Sequence, residues 1–152
     1  MTNKEILNTI EAFCAACERC AFDVQEKLQK MGAENIDEII QNLKENNYLN
    51  EQRYCEFYTR DKFRFNHWGK TKIAYMLSLK KIDKDVICQA LNVIDDEQYI
   101  SVLSDIFKSK AKSVKAQNPY EKEQKLFHFA LSRGFESDII KKVKSDIIIN
   151  SI

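Results

Sequence analysis

The scarcity of helix-breaking residues constrains this chain more than any other feature. One proline and three glycines occur among its 152 residues. β-Hairpins and glycine-rich phosphate loops depend on such residues, so their scarcity favours helices joined by short turns. Hydrophobic residues make up 44% and charged residues 31% of the chain, which is typical of a folded soluble protein. The sequence therefore predicts an all-α fold.

Apolar residues recur with helical spacing in nine short segments. Asn118 and Pro119 suit the start of one helix, because asparagine caps helices and proline tolerates the first helical position. Asp83 is placed to cap another start, and Gly32 to end a helix. The predicted helices centre on residues 6–17, 24–31, 36–43, 54–65, 73–77, 86–91, 99–107, 120–131 and 139–143.

Residues 77–87 and 130–140 share one pattern: a helix end, a basic residue, an apolar residue, two polar linkers, then Asp and two β-branched residues. Lys81 and Gly134 hold corresponding positions 53 residues apart, and residues 30–40 fit the pattern with two extra residues in the turn. A period near 50 is typical of helical repeats. We therefore expect tandem three-helix repeats in an elongated, curved array, with boundaries at 1–50, 51–94 and 95–152.

Positive charge is concentrated in the middle of the chain. Residues 1–52 contain 5 basic and 10 acidic side chains, net −5, whereas residues 53–81 contain 8 and 2, net +6. Residues 82–152 contain 11 of each. An asymmetry of this kind indicates an anionic partner for the central segment.

The helix predicted in this basic segment has two faces. Tyr54, Tyr58 and Phe65 form a stripe that we expect to be buried, whereas Phe63 is expected to be exposed. The other face carries three arginines, whose planar guanidinium groups suit carboxylates and phosphates. The anion could thus be nucleic-acid phosphate or an acidic protein surface. The predicted contact surface comprises Arg53, Phe57, Arg60, Lys62, Arg64, His67, Trp68, Lys70 and Lys72.

The basic segment also resembles a known family. Residues 51–64, followed by 68–73 and Leu77, look like the central signature of the RecX regulatory proteins: an acidic–Arg–aromatic start, basic residues, a glycine and Ile-x3-Leu. Residues 125–135 are similar to the family's third-repeat motif. The chain departs from the family in two respects. Cys55 stands where a small alanine is usual, and the net charge of +1 is lower than in many relatives.

The resemblance implies a non-catalytic regulator that lodges in the groove of the RecA–DNA filament and usually suppresses strand exchange and ATP hydrolysis, in DNA repair and the SOS response. Its partner would be the RecA filament, with DNA reached mainly through it, and the protein would act as a monomer. Two other hypotheses stay open. The chain could be a stand-alone DNA-binding module acting through phosphates, or a passive scaffold whose charge serves solubility.

Other residues suggest chemistry only weakly. Cys14, Cys17 and Cys20 have the spacing of an iron–sulfur run, but no fourth ligand follows, and helical spacing places the first two on a buried face. We predict reduced thiols, no metal and no cofactor. His67 and His128 lack the partners of a catalytic triad, so no enzymatic activity is predicted.

We expect no targeting or membrane segment in this chain. No apolar run approaches the ~20 residues of a membrane helix. Residues 1–10 lack a basic region followed by an apolar core, so we expect a cytoplasmic protein without membrane contact.

Overall fold

The computed structural model describes residues 1–150 of the chain and the side chains of residues 1–146. This range contains nine helices and no β-strand, which confirms the predicted all-α class. No helix within this range combines the length and the hydrophobicity that a membrane span requires. The helices are α1 (Asn3–Ala16), α2 (Ala21–Lys30), α3 (Ile36–Glu45), α4 (Glu51–Asn66), α5 (Lys70–Ser78), α6 (Lys84–Leu91), α7 (Asp96–Ser113), α8 (Pro119–Ser132) and α9 (Ser137–Asn150).

The same turn follows the second helix of each predicted repeat. Gly32, Lys81 and Gly134 occupy it with φ of +72°, +58° and +94°. In each case the amide of that residue donates to the carbonyl three residues earlier, at 3.1, 3.0 and 2.9 Å. A left-handed residue at this position ends many helices, because it lets the last carbonyls find donors. Its recurrence at the aligned positions confirms the tandem repeat.

The predicted helix starts are also confirmed. The side chain of Asn118 accepts a hydrogen bond from the amide of Glu121 at 2.8 Å, and Pro119 is the first residue of α8. Asp83 accepts from the amide of Asp85 at 3.2 Å, just before α6. Both carboxamide and carboxylate caps satisfy amides that a helix start leaves without partners.

The chain packs as two compact units. The first comprises Met1–Tyr58 and Met76–Ala90, and the second comprises Thr59–Tyr75 and the chain from Leu91 onward. Helices α4 and α5 contribute residues to both units. The three repeat boundaries given above stay a prediction.

In the first unit, α2 packs against α1 and α3. Their apolar stripes meet in one core, because helices this short are stable only when each stripe is buried against a neighbour. The buried residues of this core are Ile6, Ile10, Cys14, Val24, Leu28, Leu43 and Leu49.

Three of the five cysteines are buried in this unit. Burial raises the pKa of the Cys14 thiol to about 11 and those of Cys20 and Cys55 to about 12. Cys17 is exposed, so the prediction that α1 buries it is wrong. The physical reason is that Cys17 has extended backbone angles and follows the helix, so helical spacing no longer sets its direction. Among the described side chains, no group of three potential ligands could hold a metal ion.

In the second unit, α7, α8 and α9 all contact one another. Three aromatic rings form a chain through this unit: Phe63 lies 5.8 Å from Tyr99, which lies 5.0 Å from Phe135, measured between ring centroids. Leu103 and Ile140 of the same unit are also fully buried. The second unit is thus built on an aromatic core that includes a residue of α4.

Candidate interaction surface

The buried side of α4 differs from the predicted one. Phe63 is 6% exposed and Phe65 is 69% exposed, so the two predictions for these phenylalanines are wrong. The buried positions follow a four-residue spacing through Cys55, Thr59 and Phe63, and the ring of Phe63 packs against Tyr99. Two of these three positions carry the small side chains Cys55 and Thr59, so the sequence pattern did not show that they form a buried stripe.

The two tyrosines at the start of α4 were predicted to be buried, and this is confirmed only in part. Tyr54 is buried and its ring lies 6.0 Å from that of Tyr58, which is half-buried. Burial raises the pKa of the Tyr54 hydroxyl above its usual range. Phe57 lies on the outer side of this first-unit part of α4 and is 48% exposed, as its predicted face requires.

Arg53 does not present a free guanidinium, and the structure corrects that expectation. Its Nε donates to both carboxylate oxygens of Glu18, at 2.7 and 2.5 Å. Its Nη atoms donate to the side chain and carbonyl of Asn47, at 3.3 and 3.2 Å, just after α3. A cation at a helix C-terminus interacts favourably with its carbonyls. Arg53 therefore binds within the first unit.

Arg60 and Arg64, in contrast, are both exposed on the second-unit part of α4. Neither forms an ion pair with any carboxylate among residues 1–146. The guanidinium of Arg64 lies 5.4 Å from the ring centroid of exposed Phe65. This part of the helix presents two cations and a large aromatic ring to solvent.

Two more cationic side chains lie close to Trp68, a residue between α4 and α5. The Nζ of Lys62 lies 5.3 Å and that of Lys72 lies 4.6 Å from the indole centroid. Indole attracts cations through the negative faces of its π-system. The half-buried tryptophan therefore holds two ammonium groups close to one ring.

Two glycines fix the position of α5 beside this ring. The amide of Gly69 donates to the carbonyl of Arg133 at 2.7 Å, and the amide of Thr71 donates to the carbonyl of Gly134 at 2.9 Å. A Cβ at Gly69 would lie 2.3 Å from the carbonyl carbon of Gly134, and one at Gly134 would lie 2.2 Å from the Cβ of Lys72. Only glycine permits this approach.

A buried tyrosine also holds the start of α5 in place. The amide of Lys70 donates to the hydroxyl of Tyr99 at 2.9 Å, and that hydroxyl donates to the carboxylate of Glu136. Burial, together with the Glu136 hydrogen bond, raises the pKa of Tyr99 above its usual range. The hydroxyl thus stays protonated and bridges α5 to the turn before α9.

The remaining predicted residues differ in how free they are. The Nζ of Lys70 lies 3.9 Å from the carboxylate of Asp96 and 5.0 Å from the ring centroid of Tyr99. Its positive charge is therefore partly neutralised. His67 is exposed and has φ of +55°, which ends α4.

Sequence reasoning missed two residues on this side of the second unit. Phe65 was predicted to be buried, and Arg133 was not among the predicted contact residues. The Nη1 of Arg133 lies 3.4 Å from the carbonyl of Asn66, at the end of α4. The position of Arg133 beside Gly134 in the third-repeat pattern was the one available signal.

Comparison with known proteins places these helices in a family. The family domain described as "RecX, second three-helix domain" matches residues 50–91, and "RecX, third three-helix domain" matches residues 96–143. The matched segments contain all of the predicted contact residues.

Relatives agree with this assignment. Regulatory protein RecX of Clostridium perfringens (strain SM101 / Type A) is 34% identical over 125 residues, which are 80% of this chain and 58% of that protein. Regulatory protein RecX of Clostridium botulinum (strain Eklund 17B / Type B) is 33% identical over 129 residues, or 82% and 60% of the two chains. The chain therefore spans little more than half the length of these curated relatives.

Solved structures share the fold. The crystal structure of RecX from Lactobacillus salivarius matches with a TM-score of 0.87 at 23% identity, covering 96% of each chain. A second crystal structure, of a regulatory protein RecX, matches with a TM-score of 0.85 at 18% identity, covering 93% of this chain and 71% of the other. With two successive family domains matched and this fold in common, the chain belongs to the RecX family.

Proposed function

We propose that the protein is a non-catalytic regulator that binds the RecA–DNA filament and restrains its ATP hydrolysis and strand exchange. Two lines of argument support this proposal. The matched relatives are named regulatory proteins, and residues 50–91 match the second three-helix domain of RecX.

The exposed outer face of α4 in the second unit carries the proposal. Arg60 and Arg64 have no carboxylate partner among the described residues, and Phe65 is 69% exposed beside them. Arginine and aromatic side chains dominate the binding energy of many protein interfaces. An unpaired arginine pair next to an exposed ring is therefore suited to an acidic protein surface.

Trp68, Lys62 and Lys72 add to this surface a group of side chains that suits phosphate. Ammonium groups act as point charges on phosphate oxygens, and both are close to one indole ring. This pair favours a second candidate function, direct binding of DNA through its phosphates. The two functions are compatible if the protein meets protein and DNA on the same filament.

The charge of the whole chain favours the filament over bare DNA. Net charge is only +1, and residues 1–52 carry net −5. Binding to DNA alone rests on neutralising many phosphates and would be weak and strongly dependent on salt. Contacts with the recombinase would supply the affinity that phosphate contacts do not.

The test is inhibition of RecA ATP hydrolysis on single-stranded DNA by the wild-type chain and by Arg60→Glu/Arg64→Glu. We expect the wild type to slow hydrolysis and the variant to need roughly tenfold more protein, because two charged contacts become repulsive. The control is Lys4→Glu/Lys44→Glu, which makes the same charge change at exposed positions of α1 and α3. The control should inhibit like the wild type.

Two results would count against the proposal. Hydrolysis unaffected by micromolar wild-type protein would remove the regulatory function. Equal loss of inhibition in both double variants would show that net charge, and not the α4 surface, is responsible. Binding to single-stranded DNA without RecA, measured against salt, separates the second candidate from the first.

A further inference from the structure

A second feature of the second unit lies next to the end of α4, where His67 is one of its lining residues. A cleft of about 410 Å³ lies between α7 and α8. Three turns of α7 form one wall, because its lining positions recur at intervals of three and four residues. Val102, Ile106 and the ring of Phe129 give the cleft an apolar lining, and all three are partly exposed there.

Two cations lie at the apolar lining. The Nζ of Lys110 lies 4.7 Å and the guanidinium carbon of Arg133 lies 5.2 Å from the ring centroid of Phe129. Neither side chain forms an ion pair with a carboxylate in the part of the chain whose side chains are described. Asp105 lines the same cleft but pairs with neither. The cleft therefore holds two positive charges against one negative charge.

We propose that this cleft binds a short acidic segment of a partner protein. A leucine-like side chain would pack against Val102 and Ile106, and neighbouring carboxylates would bind Lys110 and Arg133. Guanidinium and carboxylate groups fit each other through two parallel hydrogen bonds. Grooves between helices accept amphipathic segments in this way, with apolar anchors inside and charges at the rim.

The same geometry argues against single-stranded nucleic acid as the occupant. Proteins that bind single strands offer free aromatic faces on which bases stack. Phe129 already contacts two cations, so its ring is a poor platform for a base. A carboxylate-bearing peptide needs the cations and the aliphatic wall, and both are present.

The experiment measures fluorescence anisotropy of a labelled peptide of leucines spaced among glutamates, titrated with the full chain. We expect binding by the wild type, and binding weakened roughly tenfold or more in Lys110→Glu/Arg133→Glu, because both charge-assisted contacts are reversed. Lys122→Glu/Lys141→Glu is the matched control, since both lysines are exposed and lie outside the cleft. This control should bind like the wild type.

A second variant separates shape from charge. Ser109 is an exposed cleft residue, so Ser109→Trp would fill the cleft without changing its charge and without disturbing the core. It should weaken peptide binding as strongly as the double charge reversal. Circular dichroism should show unchanged helix content in each variant.

Several outcomes would overturn the proposal. These are no peptide binding by the wild type, equal loss in the cleft and control variants, or full binding by Ser109→Trp. Preferential capture of a labelled single-stranded oligonucleotide by the same residues would replace the protein partner with nucleic acid. Because RecA is absent from this assay, and Arg60→Glu/Arg64→Glu should bind the peptide normally, the result is independent of the proposed regulatory function.

Discussion

At the scale of single residues, two glycines position the candidate surface. The backbones at Gly69 and Gly134 approach so closely that neither has room for a Cβ. The contact also satisfies the amides of Gly69 and Thr71 at the start of α5, which no residue of that helix can reach. The glycines therefore place the neighbouring Trp68 and Lys72 within the second unit.

Gly69→Ala should therefore lower the free energy of unfolding by about 2 kcal/mol or more, because backbone atoms must move to admit the methyl group. Urea denaturation followed by circular dichroism measures this loss. Gly32→Ala is the matched control, since nothing lies within 4 Å of a Cβ there. Its cost should be only the roughly 1 kcal/mol of a left-handed non-glycine residue. Equal losses at both sites would contradict the packing argument.

At the scale of the element, α4 shows what the sequence could and could not reveal. Its existence and the exposure of Arg60 and Arg64 followed from local spacing and were predicted. The choice between Phe63 and Phe65 was not, because it depends on the ring of Tyr99, 36 residues beyond Phe63 in the chain. Patterns in a sequence report periodicity well and distant partners poorly.

The partners of Arg53 and Arg133 could not be predicted for the same reason. Arg53 meets Glu18 across 35 residues, and Arg133 meets the carbonyl of Asn66 across 67. Neither spacing has a local signature. Arg53 was therefore assigned to the contact surface from its helix position and charge alone, and Arg133 was not assigned to any surface. Contacts of this kind become visible only when helices are packed together.

The two phenylalanines of α4 should differ sharply on truncation. Phe63→Ala should lower the free energy of unfolding by about 3–5 kcal/mol, because it removes a buried ring from the aromatic core. Phe65→Ala should change it by less than about 0.5 kcal/mol, since the ring is exposed. Chemical denaturation of both variants is the measurement. A larger loss from Phe65→Ala than from Phe63→Ala would contradict this placement of the two rings.

At the scale of the whole molecule, the three repeats form the same left-handed turn with different residues. The turn after each second helix is left-handed in all three, with glycine in the first and third and Lys81 in the second. A lysine in this conformation costs free energy that glycine does not, because its Cβ approaches the following carbonyl. The second repeat is thus the one that bears strain at this turn.

Lys81→Gly should therefore raise the free energy of unfolding by about 1 kcal/mol. The gain should appear as a higher midpoint of urea denaturation with an unchanged slope. The control is Lys84→Gly, because Lys84 is an exposed lysine in a helical position at the start of α6. There the same change should be neutral or destabilising. A loss of stability in Lys81→Gly would show that the side chain makes a contact outweighing the strain.

The closeness of Gly69 and Gly134 also bears on how genetic data from this family should be interpreted. An allele at Gly134 would push Lys72 and the start of α5 away from Trp68, although Gly134 itself is buried and offers nothing to a partner. A genetic screen for loss of regulation would recover such an allele together with alleles that change the exposed arginines. Only a purified variant, checked for folding, would distinguish a displaced helix from a missing contact.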